Sequence, residues 1–156
     1  MKATKTDRVS VAEATPRAFA AMLHLENAVS AMGLDKGLYE LVKIRASQIN
    51  GCAYCIDMHT KDARAGGESE QRIYALNAWR ETPFFTERER AALALAEAIT
   101  LVTDGHVDDE VYAAAASRFD EKELAALIMA AVAINAWNRI AIACRTPAGT
   151  YQPAER

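Results

Sequence analysis

Apolar residues recur along this chain at intervals of three and four, and period-two alternation rich in Val, Ile and Thr is almost absent. An interval of three or four keeps apolar side chains on one face of an α-helix, whereas a half-buried strand needs strict alternation. The pattern predicts an all-α chain. Its first helix starts with Thr15 as N-cap and Pro16 in the first turn, carries Phe19, Met22, Leu23 and Val29, and stops at Gly33. The second runs from about Asp35 towards Ile49 and ends at Asn50-Gly51, where glycine frees the backbone to turn. A third begins at or near Cys52 and continues to Gly66-Gly67; a fourth covers roughly Ser69 to Arg80, with Ile73, Leu76 and Trp79 on one side and Pro83 closing it.

Two capping boxes mark the later helices. Thr86 with Glu89 opens a fifth helix reaching about Thr103, and Asp120 with Glu123 opens a long seventh from Glu121 to Cys144. Between them Asp108 or Asp109 starts a short sixth helix through Ala116. Ala113 to Ala116 and Ala130, Ala131 and Ala133 give alanine-rich faces that allow close helix packing. The organisation expected is an N-terminal arm over 1–14, one bundle of about six or seven helices over 15–145, and a tail over 146–156 rich in Pro, Gly and polar residues.

Composition narrows the class. With 156 residues, 51% of them hydrophobic, the chain can bury one real core but not two. Against 21 acidic residues stand 18 basic ones with no basic block, which argues against nucleic acid as a partner. The first sixteen residues hold no apolar h-region of a secretory signal, so the expected place is cytoplasmic. The apolar run from Leu124 to Ala133 falls short of the roughly 20 residues that cross a bilayer and is followed by Asn135, Asn138 and Arg139, so it reads as a buried helix and no membrane partner is expected.

Three cysteines make no disulfide scaffold: Cys52 and Cys55 form a C-x-x-C pair, and Cys144 stands far away, read as a small buried apolar side chain. On a helix of 3.6 residues per turn, Cys52, Cys55 and His59 share one face within an arc of roughly 60°. Two sulfurs one turn apart can close a disulfide where the first sits at the adjustable helix end. The free N–H groups of a first helical turn lower a cysteine pKa and expose the reactive thiolate. His59 can then exchange a proton directly or through water, and Glu40 on the preceding helix can orient the imidazole or complete a relay. Two plainer readings stand beside this one. The pair is a coincidence, or it is half of a zinc site, for which Glu40 or Asp57 would have to supply a fourth ligand and neither completes a familiar spacing. His24 and His106 have no partner pattern and read as structural or surface groups. Trp79, Trp137 and the methionines read as packing, while Asn135 and Asn138 on an apolar helix demand hydrogen-bond partners.

Glu40, eleven intervening residues and then C-A-Y-C-I-D-M-H from Cys52 to His59 resemble the alkylhydroperoxidase D and carboxymuconolactone decarboxylase superfamily. The likeness is strongest over KIRASQINGCAYCIDMHTKDARAGG and extends more loosely from Phe19 to Arg145, including INAWNR at 134–139. The resemblance implies an alkylhydroperoxidase D-like helical bundle assembled as a homotrimer or hexamer, and a peroxidase needing neither metal nor organic cofactor. It implies Cys55 as the thiol that attacks a hydroperoxide, Cys52 as the resolving thiol, and Glu40 with His59 as the proton relay. The resulting sulfenic acid would condense to a disulfide, and an external dithiol or thioredoxin-like protein would reduce it. One position departs from the pattern: Tyr54 stands where the best-known peroxidases of the family carry a second histidine, and Tyr is no base near neutral pH, so rate and substrate are open. The decarboxylase branch acts on a lactone and typically lacks the cysteine pair, which makes lyase chemistry the alternative and a zinc-stabilised or oligomeric scaffold the non-catalytic one.

Overall fold

The computed structural model describes residues 8–154. Among these it contains eight α-helices and no strand: α1 (Val11–Ala14), α2 (Pro16–Ser30), α3 (Lys36–Asn50), α4 (Ala53–Ala65), α5 (Glu70–Ala75), α6 (Glu87–Thr100), α7 (Asp109–Ala116) and α8 (Glu121–Cys144), with a 3-10 helix over Leu76–Glu81 extending α5. The expectation of six or seven helices missed α1.

Helix α3 is the axle of the bundle. It buries Leu38, Tyr39, Leu41, Val42, Lys43, Ile44, Ala46 and Ser47, so apolar contact surrounds it instead of marking one stripe. Leu38 and Val42 pack with Leu95 and Ala96 of α6 and Leu127, Ala130 and Ala131 of α8; Leu41 and Ile44 meet Ile73, Leu76, Trp79 and Leu93 on another side. Its last turns give Ala46 to a third cluster with Cys52, Cys55, Ile134 and Ala141. The site is therefore built where α3 ends, α4 begins and α8 crosses both.

Where the sequence pattern and the backbone part, local physics explains it. Thr15 does not cap α2 with its side chain: Ser10 caps α1, and the Thr15 hydroxyl donates back to the Val11 carbonyl at 2.8 Å, so Thr15-Pro16 is a corner between two helices. The fourth helix is α only to Ala75 and then tightens, with Ala78 at φ −118 and ψ 29. Ile73, Leu76 and Trp79 lie three apart, a spacing that lines up on a 3-10 helix of three residues per turn. Helix α6 stops at Thr100, three residues before the expected end; Leu101 and Val102 find no cover, at 45% and 46% exposed. Helix α8, at 24 residues with mean hydropathy 1.6, is long and apolar enough to cross a membrane by those measures alone, which the shorter run 124–133 is not. Here it packs on α3, with Leu127, Ile134 and Asn138 fully buried.

Candidate active site

Two residues join α3 to α4, and both work at the joint. Gly51 adopts φ 69, a left-handed value natural to glycine. Its N–H donates to the Gln48 carbonyl at 3.2 Å and the Cys52 N–H donates to the Ser47 carbonyl at 3.0 Å, the pair of bonds that closes a Schellman motif. Cys52 then turns extended (φ −83, ψ 96) and caps α4, its Sγ accepting from the Cys55 N–H at 3.4 Å. One residue thus ends α3 with its backbone and starts α4 with its sulfur, which puts Cys52 and Cys55 one turn apart at a helix N-terminus as free, buried thiols.

The surroundings favour one negative charge shared by the two sulfurs. The Cys52 thiol is pulled down to about 7, first by the Cys55 thiol donating to it, against the opposing cost of burial, and then by the Cys55 N–H and the Asn138 side chain. The Cys55 thiol is pushed up, first because it holds the proton that Cys52 gives up and next by burial. Of the two sulfurs, Cys52 is the one whose surroundings favour the thiolate.

Asn138, on α8, is fully buried behind the pair. Its Nδ2 donates to Ser47 Oγ at 3.0 Å and its Oδ1 accepts from Asn50 Nδ2 at 2.8 Å, while Asn50 also donates to Asn135 Oδ1 at 2.9 Å. Asn135 in turn donates to Thr100 Oγ1 at 3.0 Å. The partners that the two α8 amides demand are thus the last turns of α3 and α6, and each amide is satisfied.

One helical turn behind Cys55, His59 is 8% exposed, and its Nδ1 lies 3.0 Å from Glu40 Oε2. Glu40, twelve positions before Cys52, reaches the site because α3 and α4 pack along each other. A carboxylate accepting from Nδ1–H fixes the tautomer and leaves Nε2 as the nitrogen free to exchange a proton. Asp62, which sequence reasoning passed over, completes a cluster: one ligand atom each from Glu40, His59 and Asp62 lie within 4.8 Å of one another. This set has the chemistry to hold a divalent cation, and it uses neither sulfur, unlike the zinc arrangement weighed from the sequence. Asp57, the other carboxylate considered there, pairs with Lys61 at 3.0 Å.

Cys55 and His59 open onto a cavity of about 610 Å³; Cys52 lies behind it. Phe19, Leu23, Met58, Trp137 and Ile140 supply apolar wall, and Cys144, expected as a buried apolar side chain, is half-buried at its edge. Trp137 packs edge-on to Phe19, with ring centroids 5.5 Å apart, and its Nε1 donates to Glu26 Oε2 at 3.2 Å. Glu26 also accepts from Lys43 Nζ at 2.6 Å and from the Tyr39 hydroxyl at 2.7 Å. Burial raises the Glu26 carboxyl, but the Lys43 ammonium and the hydrogen bonds outweigh it and hold it below the usual value. This charged floor was not legible from the sequence, since Glu26 and Lys43 are 17 residues apart on different helices.

A family model described as the carboxymuconolactone decarboxylase family matches residues 16–98. The chain belongs to this family. Within it, the chain is a short member that carries the C-x-x-C pair, of the alkylhydroperoxidase D-like kind. The uncharacterized protein YdfG of Bacillus subtilis is 46% identical over 138 residues, covering 88% of this chain and 94% of YdfG. The crystal structure of ATU0492 from Agrobacterium tumefaciens, a protein of unknown function proposed to be the antioxidant defence protein AhpD, superposes with a TM-score of 0.87 at 41% identity, over 96% of this chain and all of that one. The alkyl hydroperoxide reductase AhpD of Bradyrhizobium diazoefficiens is 44% identical over 41 residues, 26% of this chain and 22% of that protein. The carboxymuconolactone decarboxylase family thus accounts for the all-helical fold and includes enzymes of peroxidase-related and decarboxylase type.

Proposed function

We propose that the protein is a thiol-dependent peroxidase that reduces organic hydroperoxides through Cys52 and Cys55. The observation that carries this reading is the placement of Cys55 at a helix N-terminus on the wall of a largely apolar cavity, with Cys52, whose surroundings favour a thiolate, behind it and a Glu40-bound imidazole one turn further on. The Cys55 sulfur attacks the distal peroxide oxygen and its proton passes to the Cys52 sulfur; the O–O bond breaks, and His59, backed by Glu40, relays a proton from solvent through Nε2 to the departing alkoxide. Cys55 is then a sulfenic acid, and Cys52 displaces water from it to form the disulfide. An external dithiol or thioredoxin-like protein supplies the two electrons that restore the pair. Cys52 holds the lower pKa, yet Cys55 is assigned the attack because, of the two, Cys55 is the one that lines the cavity; the low-pKa neighbour serves as its base.

A cytoplasmic setting, where thiols are kept reduced, suits this cycle. The proposal includes assembly as a homotrimer or hexamer, for which Val132 and Ile142, each 43% exposed on α8, offer apolar surface. The test is to count free thiols in reduced protein mixed with cumene hydroperoxide. Two thiols per chain disappear in the wild type and none through this route in Cys55→Ser; an unchanged count in the wild type, or the same loss in the variant, removes the proposal.

A second reading draws on the Glu40, His59 and Asp62 cluster. It offers an acid and a base beside an apolar cavity without any thiol, which is what a lactone decarboxylase uses. Lactone turnover that survives Cys52→Ser and Cys55→Ser together would favour that reading, and stoichiometric zinc in the purified protein would favour a scaffold.

A further inference from the structure

The chain beyond α8 returns to the candidate active site. Gly149, at φ 101, allows a turn that a side chain would strain. Three hydrogen bonds then fasten residues 149–151 to α4: the Gly149 N–H donates to Asp57 Oδ2 at 3.1 Å, the Lys61 ammonium donates to the Tyr151 carbonyl at 2.9 Å, and the Tyr151 hydroxyl donates to Asp62 Oδ1 at 2.8 Å. The last of these reaches the relay. The Asp62 carboxylate lies within 4.8 Å of both the Glu40 carboxylate and a ring nitrogen of His59, and Asp62 lines the same cavity as Cys55.

Two carboxylates placed this way compete for one imidazole. Glu40 holds Nδ1 at 3.0 Å, while Asp62 is occupied by the tyrosine. We propose that Tyr151 and Asp62 are positioning residues: by engaging Asp62, the Tyr151 hydroxyl leaves Glu40 as the carboxylate that sets the tautomer and orientation of His59. Burial and the Asp62 carboxylate push that hydroxyl up to about 12, so it stays a donor through the neutral range. Removing it frees Asp62 to turn onto the ring, where it draws the N–H away from Glu40 and misplaces the nitrogen that must reach the leaving oxygen. The kinetic part of this proposal rests on the peroxidase reading; the geometric part does not.

The test uses full-length Tyr151→Phe, which deletes one oxygen and keeps the ring, with the side-chain ¹⁵N resonances of His59 followed by NMR beside the rate of thiol loss on cumene hydroperoxide. The expected result is a shift of the His59 ring-nitrogen resonances and a rate about three- to tenfold lower, the scale of one lost hydrogen bond. Adding Asp62→Ala to Tyr151→Phe removes the competitor and returns both readouts towards the wild type. Unmoved His59 resonances in Tyr151→Phe, or a defect that persists in the double variant, overturn the proposal. If the wild type loses no thiols to hydroperoxide, the peroxidase reading fails, and the resonance shift with its reversal still decides the role of Tyr151.

Discussion

The two halves of α8 have similar length and opposite character. From Leu124 to Ala133 the buried positions are Leu124, Ala126, Leu127, Ala130, Ala131 and Ala133, all apolar, and all but Ala133 join the core cluster with α3 and α6. From Ile134 to Cys144 the helix inserts Asn138, fully buried, and Asn135 beside it, at the point where it passes the cysteine pair. The first half obtains its stability from area and volume, and any side chains of the right shape would serve. In the second half apolar area is given up for donors and acceptors in fixed places, because a thiolate buried against Ile134 and Ala141 needs dipoles where water is excluded.

Substitutions that break one half and spare the other sharpen this contrast. Leu127→Ala, in the apolar half, opens a cavity and lowers stability by about 2–5 kcal/mol in a denaturant titration, while leaving the pH dependence of thiol reactivity in place. Asn138→Leu, of similar bulk, deprives Asn50 and Ser47 of partners at a cost of about 1–3 kcal/mol, and it removes a donor from the sulfurs. The rate of thiol loss to cumene hydroperoxide in the wild type rises with pH through about 7, the value at which Cys52 loses its proton and becomes a base for Cys55, and levels off above it. In Asn138→Leu the charged form loses support, so the midpoint moves up towards the ordinary thiol value near about 8.5. Asn135→Ala is the mildest, at about 1 kcal/mol, because Asn50 keeps its bond to Asn138. A midpoint that Leu127→Ala moves as far as Asn138→Leu would erase the distinction between the halves.

Much of this was readable in advance because it is written over short distances. The boxes Thr86/Glu89 and Asp120/Glu123 start α6 and α8 as their spacing predicts, and Asn50-Gly51-Cys52 places the helix start under the cysteines. Local signals were also met only in part: Thr15 stands at the N-cap position of α2, but its hydroxyl turns back to the Val11 carbonyl of the helix that Ser10 opens instead of capping α2. The sequence said that Asn135 and Asn138 required partners without saying which, since Asn50 and Ser47 lie more than eighty residues away. Glu40 is a candidate partner for His59 from its place on the preceding helix, and the family pattern strengthens it, but helical periodicity puts it on α3 without bringing it against His59. Asp62 and Tyr151 gave no signal at all, because an aspartate one turn after a histidine and a tyrosine in a Pro- and Gly-containing tail acquire meaning only once the chain folds back.

The most direct measurement of the central claim is the intact mass of the reduced protein after one equivalent of cumene hydroperoxide. The account predicts a loss of about 2 Da, with the new disulfide mapping to Cys52–Cys55, and in Cys52→Ser a gain of about 16 Da on Cys55 as the sulfenic acid persists. An unchanged mass, or oxygen added at Cys144 or the methionines while Cys52 and Cys55 remain thiols, would contradict it.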